Sequence, residues 1–299
     1  HGTSRGLGDV YKRQDQNGYF DINILDAMTG EKIKKLIKGN RGVDFEELKW
    51  LQPGLSWSPD SKKIVFAAKA GKGDVLHVVE VETGKGEKYE LDIEGVFSAS
   101  WSPLGNEIAY VGQSGNSSDI YIFDLNSQIS KKITNDIFSD SYPTWSGDGK
   151  SIAFVSDRGD EISGAYDGFM YEHDYSQTDI YFVNVETKKI DRVTNTNHNE
   201  SHPVWSKTSN NIFYTSDHNG VWNLYRHPIS GSEDSEPIPV TNVLTGLQQP
   251  TISGDDRLLI FAGYSGIGWD LYSMANPLSL KKQTVNPTQF ILNGKTEDE

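Results

Sequence analysis

Short apolar runs alternate with polar, turn-forming clusters along most of the chain. Ile64-Val65-Phe66, Ile108-Ala109-Tyr110, Ile152-Ala153-Phe154, Ile212-Phe213-Tyr214 and Leu259-Ile260-Phe261 form one set. Each is followed by a run led by Asp or Asn: Asp74-Val75-Leu76, Asp119-Ile120-Tyr121, Asp179-Ile180-Tyr181, Asn223-Leu224-Tyr225 and Asp270-Leu271-Tyr272. A last run closes at Ile133-Thr134-Asn135, Val193-Thr194-Asn195 and Val240-Thr241-Asn242. Short β-branched and aromatic runs bounded by Gly, Asp, Asn or Pro predict antiparallel hairpins. Only Val43 to Leu51 holds anything close to a helical apolar period, and Val43 to Trp50 is read as one or two helical turns forming a lid.

A phrase precedes each set: Ser56-Trp57-Ser58-Pro59-Asp60, Ser100-Trp101-Ser102-Pro103, Thr144-Trp145-Ser146-Gly147-Asp148-Gly149, Val204-Trp205-Ser206 and a decayed Thr251-Ile252-Ser253-Gly254-Asp255. Trp57, Trp101, Trp145, Trp205 and Ile252 fall 44, 44, 60 and 47 residues apart. With the 16 extra residues of the third step set aside, the period is that of a propeller blade with strands A, B, C and D. A four-stranded unit cannot bury both faces alone, so units must stack. The recurring Trp is read as the apolar plug between neighbours rather than a ligand-stacking ring.

The Trp-Ser-Pro-Asp phrase, the Ile-Ala-Phe strand and the Asp-Ile-Tyr strand resemble the TolB-type, WD-like β-propeller repeat from about Asp21 to Thr284. The resemblance implies an all-β fold, a six-bladed propeller of four-stranded antiparallel blades with the first blade truncated. Five complete units begin near Pro53, Phe97, Tyr142, His202 and Gln249. Ahead of them, Tyr19 to Asp26 and Ile33 to Ile37 read as an orphan C and D pair with unpaired edges. Seven blades stay open if more chain lies upstream. Leu104 in place of the turn Asp, Lys207-Thr208 in place of Pro-Asp, and Ile252 in place of Trp weaken individual blades.

Asp9-Val10-Tyr11-Lys12-Arg13-Gln14 resembles the in-frame translation of a transposon end used in sequencing libraries. Residues 1–14 are therefore read as a non-native leader, 15–284 as the propeller and 285–299 as a tail or linker. The absence of cysteine removes disulfides, thiolate metal sites and a cysteine nucleophile. Twenty-eight basic residues face 42 acidic ones, a net of −14. Without the leader it is 25 against 41, or −16, which argues against nucleic acid as a partner. The longest apolar runs span five residues, whereas a membrane helix needs about twenty.

Two long connections, Lys38 to Gln52 and Arg158 to Gln177, emerge on the same face of a propeller, where loops commonly carry binding. The second is rich in acids and aromatics. Asp160, Tyr166, Asp167, Phe169, Tyr171, His173, Asp174 and Tyr175 are its candidate binding residues, fitted to a basic or apolar partner. An insertion folded over the blade with solvated charges is the competing reading. No Gly-x-Ser-x-Gly elbow, phosphate loop or His-Glu-x-x-His motif is present. His198 and His202 are four apart on a loop, which does not place both rings on one face. No catalytic residue, metal or cofactor is expected.

These readings favour a non-catalytic protein-interaction scaffold. The resemblance implies an extracytoplasmic, periplasmic location, protein partners in the bacterial cell envelope, and a possible covalent neighbour such as an outer-membrane barrel or a peptidase domain. The alternative is the accessory, substrate-gating propeller of a serine peptidase or other hydrolase. A lyase or glycosidase propeller with its own site ranks third.

Overall fold

The computed structural model describes residues 9–10, 21–38, 47–48, 54–70, 73–161, 173–229, 236–266 and 268–294. Its strands form six antiparallel sheets. The first is β1 (Asp9–Val10), β2 (Ile22–Leu25) and β3 (Lys32–Ile37). The second holds β4 (Glu47–Leu48), β5 (Ser56–Trp57), β6 (Lys63–Ala70), β7 (Gly73–Glu80) and β8 (Gly86–Glu90). The third is β9 (Gly95–Trp101), β10 (Glu107–Ser114), β11 (Ser117–Asp124) and β12 (Ile129–Lys132). The fourth is β13 (Asp140–Trp145), β14 (Ser151–Ser156), β15 (Asp179–Asn184) and β16 (Ile190–Arg192). The fifth is β17 (Glu200–Trp205), β18 (Asn211–Ser216), β19 (Asn223–Pro228) and β20 (Ile238–Pro239). The sixth is β21 (Leu247–Ile252), β22 (Leu258–Ser265) and β23 (Gly268–Ala275). This is an all-β propeller of mainly four-stranded blades. Two compact units divide it, His1–Ile152 with Val183–Lys189, and Ala153–Phe182 with Ile190–Glu299.

Five sheets carry the expected A strand. The N-terminal sheet holds the two strands expected as a C and D pair, but the β2 edge expected to be open is paired: Asp9 and Val10 face Ile24 and Asn23. Two further expectations need correction. The last unit is not complete: its sheet stops at β23, and Pro277–Ser279 turns the chain away as a 3₁₀ segment. Proline lacks the N–H a fourth strand would donate there. The lid segment is not helical at Glu47 and Leu48, which pair with Lys69 and Ala68 of β6. A helix of two turns would leave its polar groups unpaired at both ends, whereas an open strand edge accepts them. The rest of that segment lies outside the described residues. Within the 285–299 tail, Gln289–Gly294 forms a short helix, α1.

The A strands share a bend that periodicity does not reveal. Gly54, Ser98, Tyr142, His202 and Gln249 have left-handed φ of 54, 49, 51, 49 and 54°. Each stands three residues before Trp57, Trp101, Trp145, Trp205 or Ile252. The ladders shift register there, between Ala109 and Val111, Ser201 and Val204, and Gln248 and Thr251. A bulge of this kind adds twist and re-aims the strand. At Gly54 only glycine fits, because an added Cβ would stand 2.1 Å from the Ala99 nitrogen.

The tryptophans behave as plugs. Trp145 is fully buried, and its Nε1 donates to the Ser100 carbonyl of β9 at 3.1 Å, so one indole ties two sheets of the first unit. In the second unit Trp205 meets Phe182 edge-on, with centroids 5.7 Å apart. The Ser that follows each Trp organises the turn into strand B. Ser58, Ser146 and Ser253 donate to Asp60, Asp148 and Asp255 at 2.6, 2.7 and 2.6 Å. Those serine bonds hold the three carboxyls below their usual range. Where Lys207-Thr208 removes the turn acid, Asp256 of the next sheet supplies it. Its carboxylate accepts from Ser206 Oγ, and from the Lys207 and Thr208 N–H groups at 2.8 Å each. The fifth sheet is thus repaired by a neighbour.

Trp145→Ala should lower unfolding stability by about 3–5 kcal/mol in urea titrations. Trp57→Ala, at a half-buried position, should cost clearly less.

Candidate functional site

The Asp or Asn that opens strand C is buried in the second to fifth sheets, at Asp74, Asp119, Asp179 and Asn223. Four polar residues in one repeat slot invite a catalytic reading. Asp179 and Asn223 are instead bonded within their own blades, and Asp74 reaches the next one. In the third sheet Thr134 Oγ1 accepts the Ile120 N–H at 2.8 Å, and Ile133 N–H donates to the Ile120 carbonyl at 2.8 Å. Thr194 serves Ile180 at 2.9 Å and Thr241 serves Leu224 at 2.8 Å. The same hydroxyls donate to Asp179 Oδ1 at 3.1 Å and Asn223 Oδ1 at 3.0 Å. Asp74 accepts the Val96 N–H at 2.9 Å.

The described ends of the acid- and aromatic-rich connection, 158–161 and 173–177, are braced within the second unit. Arg158 is almost fully buried, with its guanidinium 5.3 Å from the Phe154 centroid and 5.6 Å from that of Tyr181. Arg192 lies 5.9 Å from the Tyr181 ring. Its Nη2 pairs with Asp179 at 2.6 Å, its Nη1 with Asp160, and its Nε donates to the Thr194 carbonyl at 2.7 Å. Tyr181 OH donates to the Gly159 carbonyl at 2.6 Å, and burial, with Asp179 close by, pushes this phenol well up. On the exit side, Gln177 Nε2 donates to the carbonyls of Thr196 and His198.

Of the eight candidate binding residues, Asp160, His173, Asp174 and Tyr175 fall within the described part; Tyr166, Asp167, Phe169 and Tyr171 lie outside the described residues. Asp160 is 89% exposed while paired to Arg192. His173 Nε2 stands 3.6 Å from Asp157 Oδ2, and its ring meets Tyr175 edge-on at 4.9 Å. Asp174 accepts from the Ser176 N–H at 2.9 Å and Oγ at 2.6 Å, bonds that hold its carboxyl low. Asp160 is therefore tied to Arg192 and Asp174 to its own turn, while Tyr175 is presented to solvent.

One cluster beside the braced ends was missed in the sequence. Glu200 is 1% exposed; its Oε1 accepts from Thr196 Oγ1 at 2.9 Å and Ser216 Oγ at 3.0 Å. Neither Glu200 Oε2 nor the Tyr225 hydroxyl has a hydrogen-bond partner among the described residues. Burial first, then repulsion from Asp179, pushes Glu200 to about 8, against the lowering effect of the hydroxyls. Burial thus disfavours the charged form of this carboxyl. The His198 ring lies against His218 at 4.5 Å. His202, its sequence-spaced partner, instead faces Thr215, with Nδ1 to Oγ1 at 3.4 Å, and desolvation lowers it to about 4. A glutamate two positions after a loop histidine gave no signal of burial in the sequence. Only the strand start placed it inside.

Residues 15–163 match the family model described as the TolB beta propeller domain. No curated protein matches the chain. Among solved structures, TolB from Acinetobacter baumannii is 19% identical with a TM-score of 0.66, covering 86% of this chain and 57% of that one. The chain thus spans little more than half of that relative. An oligogalacturonate lyase in complex with manganese is 13% identical, with a TM-score of 0.57, over 88% of this chain and 71% of that one. Puromycin hydrolase is 13% identical with a TM-score of 0.57, over 89% of this chain and 41% of that one. At these identities the likeness to the solved structures is one of fold. With the family match beside it, the chain is a TolB-like β-propeller.

The Glu200 environment sets a sign for pH dependence. Unfolded, the carboxyl ionises near its usual 4.5; folded, near 8. Its contribution to stability is full below about 4.5 and is lost as pH rises toward 8, at about 1.4 kcal/mol per pH unit as an upper slope. Glu200→Gln should remove this decline, so its stability relative to wild type should increase between pH 5 and 8 in urea titrations.

Proposed function

We propose that this chain is a non-catalytic protein-interaction module of a bacterial cell-envelope protein. On this reading it is a six-bladed propeller with an incomplete first blade, acting in the periplasm on a protein partner. Residues 1–14 are foreign to it. The observation that carries the proposal is the fate of the repeated polar groups. Asp119, Asp179 and Asn223, together with Thr134, Thr194 and Thr241, are used up inside the blades, while the start of the Arg158 to Gln177 connection is braced by two arginines. The resemblance to TolB-type propellers supports the envelope location, and the acidic balance suits a basic partner surface. A second reading, an accessory propeller of a hydrolase, draws on the likeness to puromycin hydrolase and to prolyl endopeptidases, the latter at a TM-score of 0.54.

Replacing residues 162–172 with a short Gly-Ser turn keeps Asp160, Arg192 and His173 in place. Cross-linked pull-downs from envelope extract should then lose the partner recovered by the wild type, with the thermal midpoint unchanged. Unchanged recovery would reject the loop as the docking surface. Recovery of a hydrolase domain in place of an envelope protein would favour the second reading.

A further inference from the structure

The last blade carries the residues of a closed blade and does not use them. In the third and fourth sheets a cation two residues before the closing Thr crosses the strand C tyrosine and reaches the leading Asp. Lys132 Nζ lies 5.8 Å from the Tyr121 centroid and 2.8 Å from Asp119. Arg192 repeats this on Tyr181 and Asp179, at 5.9 and 2.6 Å. The last unit has the same set, Asp270, Tyr272, Lys282 and Thr284. From Asp to cation is 13 residues in the earlier sheets and 12 here; from Asp to Thr is 15 and 14. The connection is one residue shorter and the order is intact.

In this structure those groups are apart. Tyr272 is 44% exposed, against 0% for Tyr181 and 5% for Tyr225. Trp269 and Leu271 on β23 are exposed as well, and Asp270 is bonded to Ser265 Oγ. The segment carrying Lys282 and Thr284 lies against strand D of the fifth sheet. Gln283 N–H donates to the Pro239 carbonyl at 2.8 Å, and the Thr284 carbonyl accepts from Asn242 Nδ2 at 3.1 Å. Lys281 to Thr284 are all exposed in that seat.

We propose that residues 280–285 are a displaceable fourth strand whose second seat is the open edge of β23, so that its movement covers or uncovers a strand-accepting edge on the last blade. The register follows from the other sheets. Leu271 faces Ala262 as Ile120 faces Val111, so its N–H and carbonyl point to the open edge, as those of Ile120 point to strand D. In the second seat Thr284 Oγ1 accepts the Leu271 N–H, Gln283 N–H donates to the Leu271 carbonyl, and Lys282 crosses Tyr272 toward Asp270. A tether of five residues from Ala275 gives this segment a far higher effective concentration at the edge than a second copy of the chain would have. An edge with exposed Trp269, Leu271 and Tyr272 is costly to leave open.

Amide hydrogen exchange on the full chain, read by NMR, tests this. The Leu271 amide should exchange severalfold slower than in an unstructured peptide, by a factor set by the fraction of molecules in the second seat. The protection should be lost in a Lys282→Glu, Thr284→Ala double variant and be independent of protein concentration. Exchange at the unstructured rate would overturn the proposal. So would protection that survives both substitutions, or protection that grows with protein concentration, which would assign the edge to a second copy.

Discussion

A threonine hydroxyl at the end of strand D closes the third, fourth and fifth blades. Strand C begins with a backbone N–H that the ladder no longer serves, at Ile120, Ile180 and Leu224, all fully buried. A buried amide without an acceptor costs about 1–3 kcal/mol, and Thr134, Thr194 and Thr241 remove that cost. The preceding Asp or Asn then takes up the hydroxyl or the next loop's N–H. Each blade is locked at the same corner, and the loop that leaves it starts from a fixed point.

The corner gives the repetition of polar residues in this slot a structural role. Asp179 and Asn223 both take the threonine hydroxyl on Oδ1, although Asp179 also pairs with Arg192 while the Asn223 amide donates to Asn219 and to the Val221 carbonyl. The turn after each tryptophan follows similar logic: Ser58, Ser146 and Ser253 find their carboxylate two residues on, whereas Ser206 takes Asp256 from the next sheet. The connection from Arg158 to Gln177 ends two residues before the Asp179 corner. Arg192 belongs to both, since one guanidinium pairs with Asp179 of the corner and Asp160 of the loop.

Most of the scaffold was legible in the sequence, because tryptophans spaced 44 residues apart and Asp-led aromatic strands record packing directly. Trp145 is buried as the repeat required. What was not legible depends on backbone conformation or on distant partners. The left-handed bend at Ser98, Tyr142, His202 and Gln249 falls on four different residue types, so no composition marks it. That Asp256 serves the preceding blade has no mark in the repeat pattern. The repeat pattern also promised a complete last blade, and the chain instead leaves β23 through Asn276 in the left-handed region and Pro277. Of the candidate site, Asp160 and Asp174 read as binding acids; Asp160 is instead paired with Arg192, which is near only in the fold, while Asp174 closes a local turn with Ser176.

The account stands or falls on whether the hydroxyl corner holds the blades together. Urea unfolding of Thr134→Val and Thr134→Ser measures it directly, since valine keeps the shape and serine keeps the hydroxyl. The account predicts a loss of about 2–3 kcal/mol for valine and less than half that for serine. Equal stability of the two variants would contradict it.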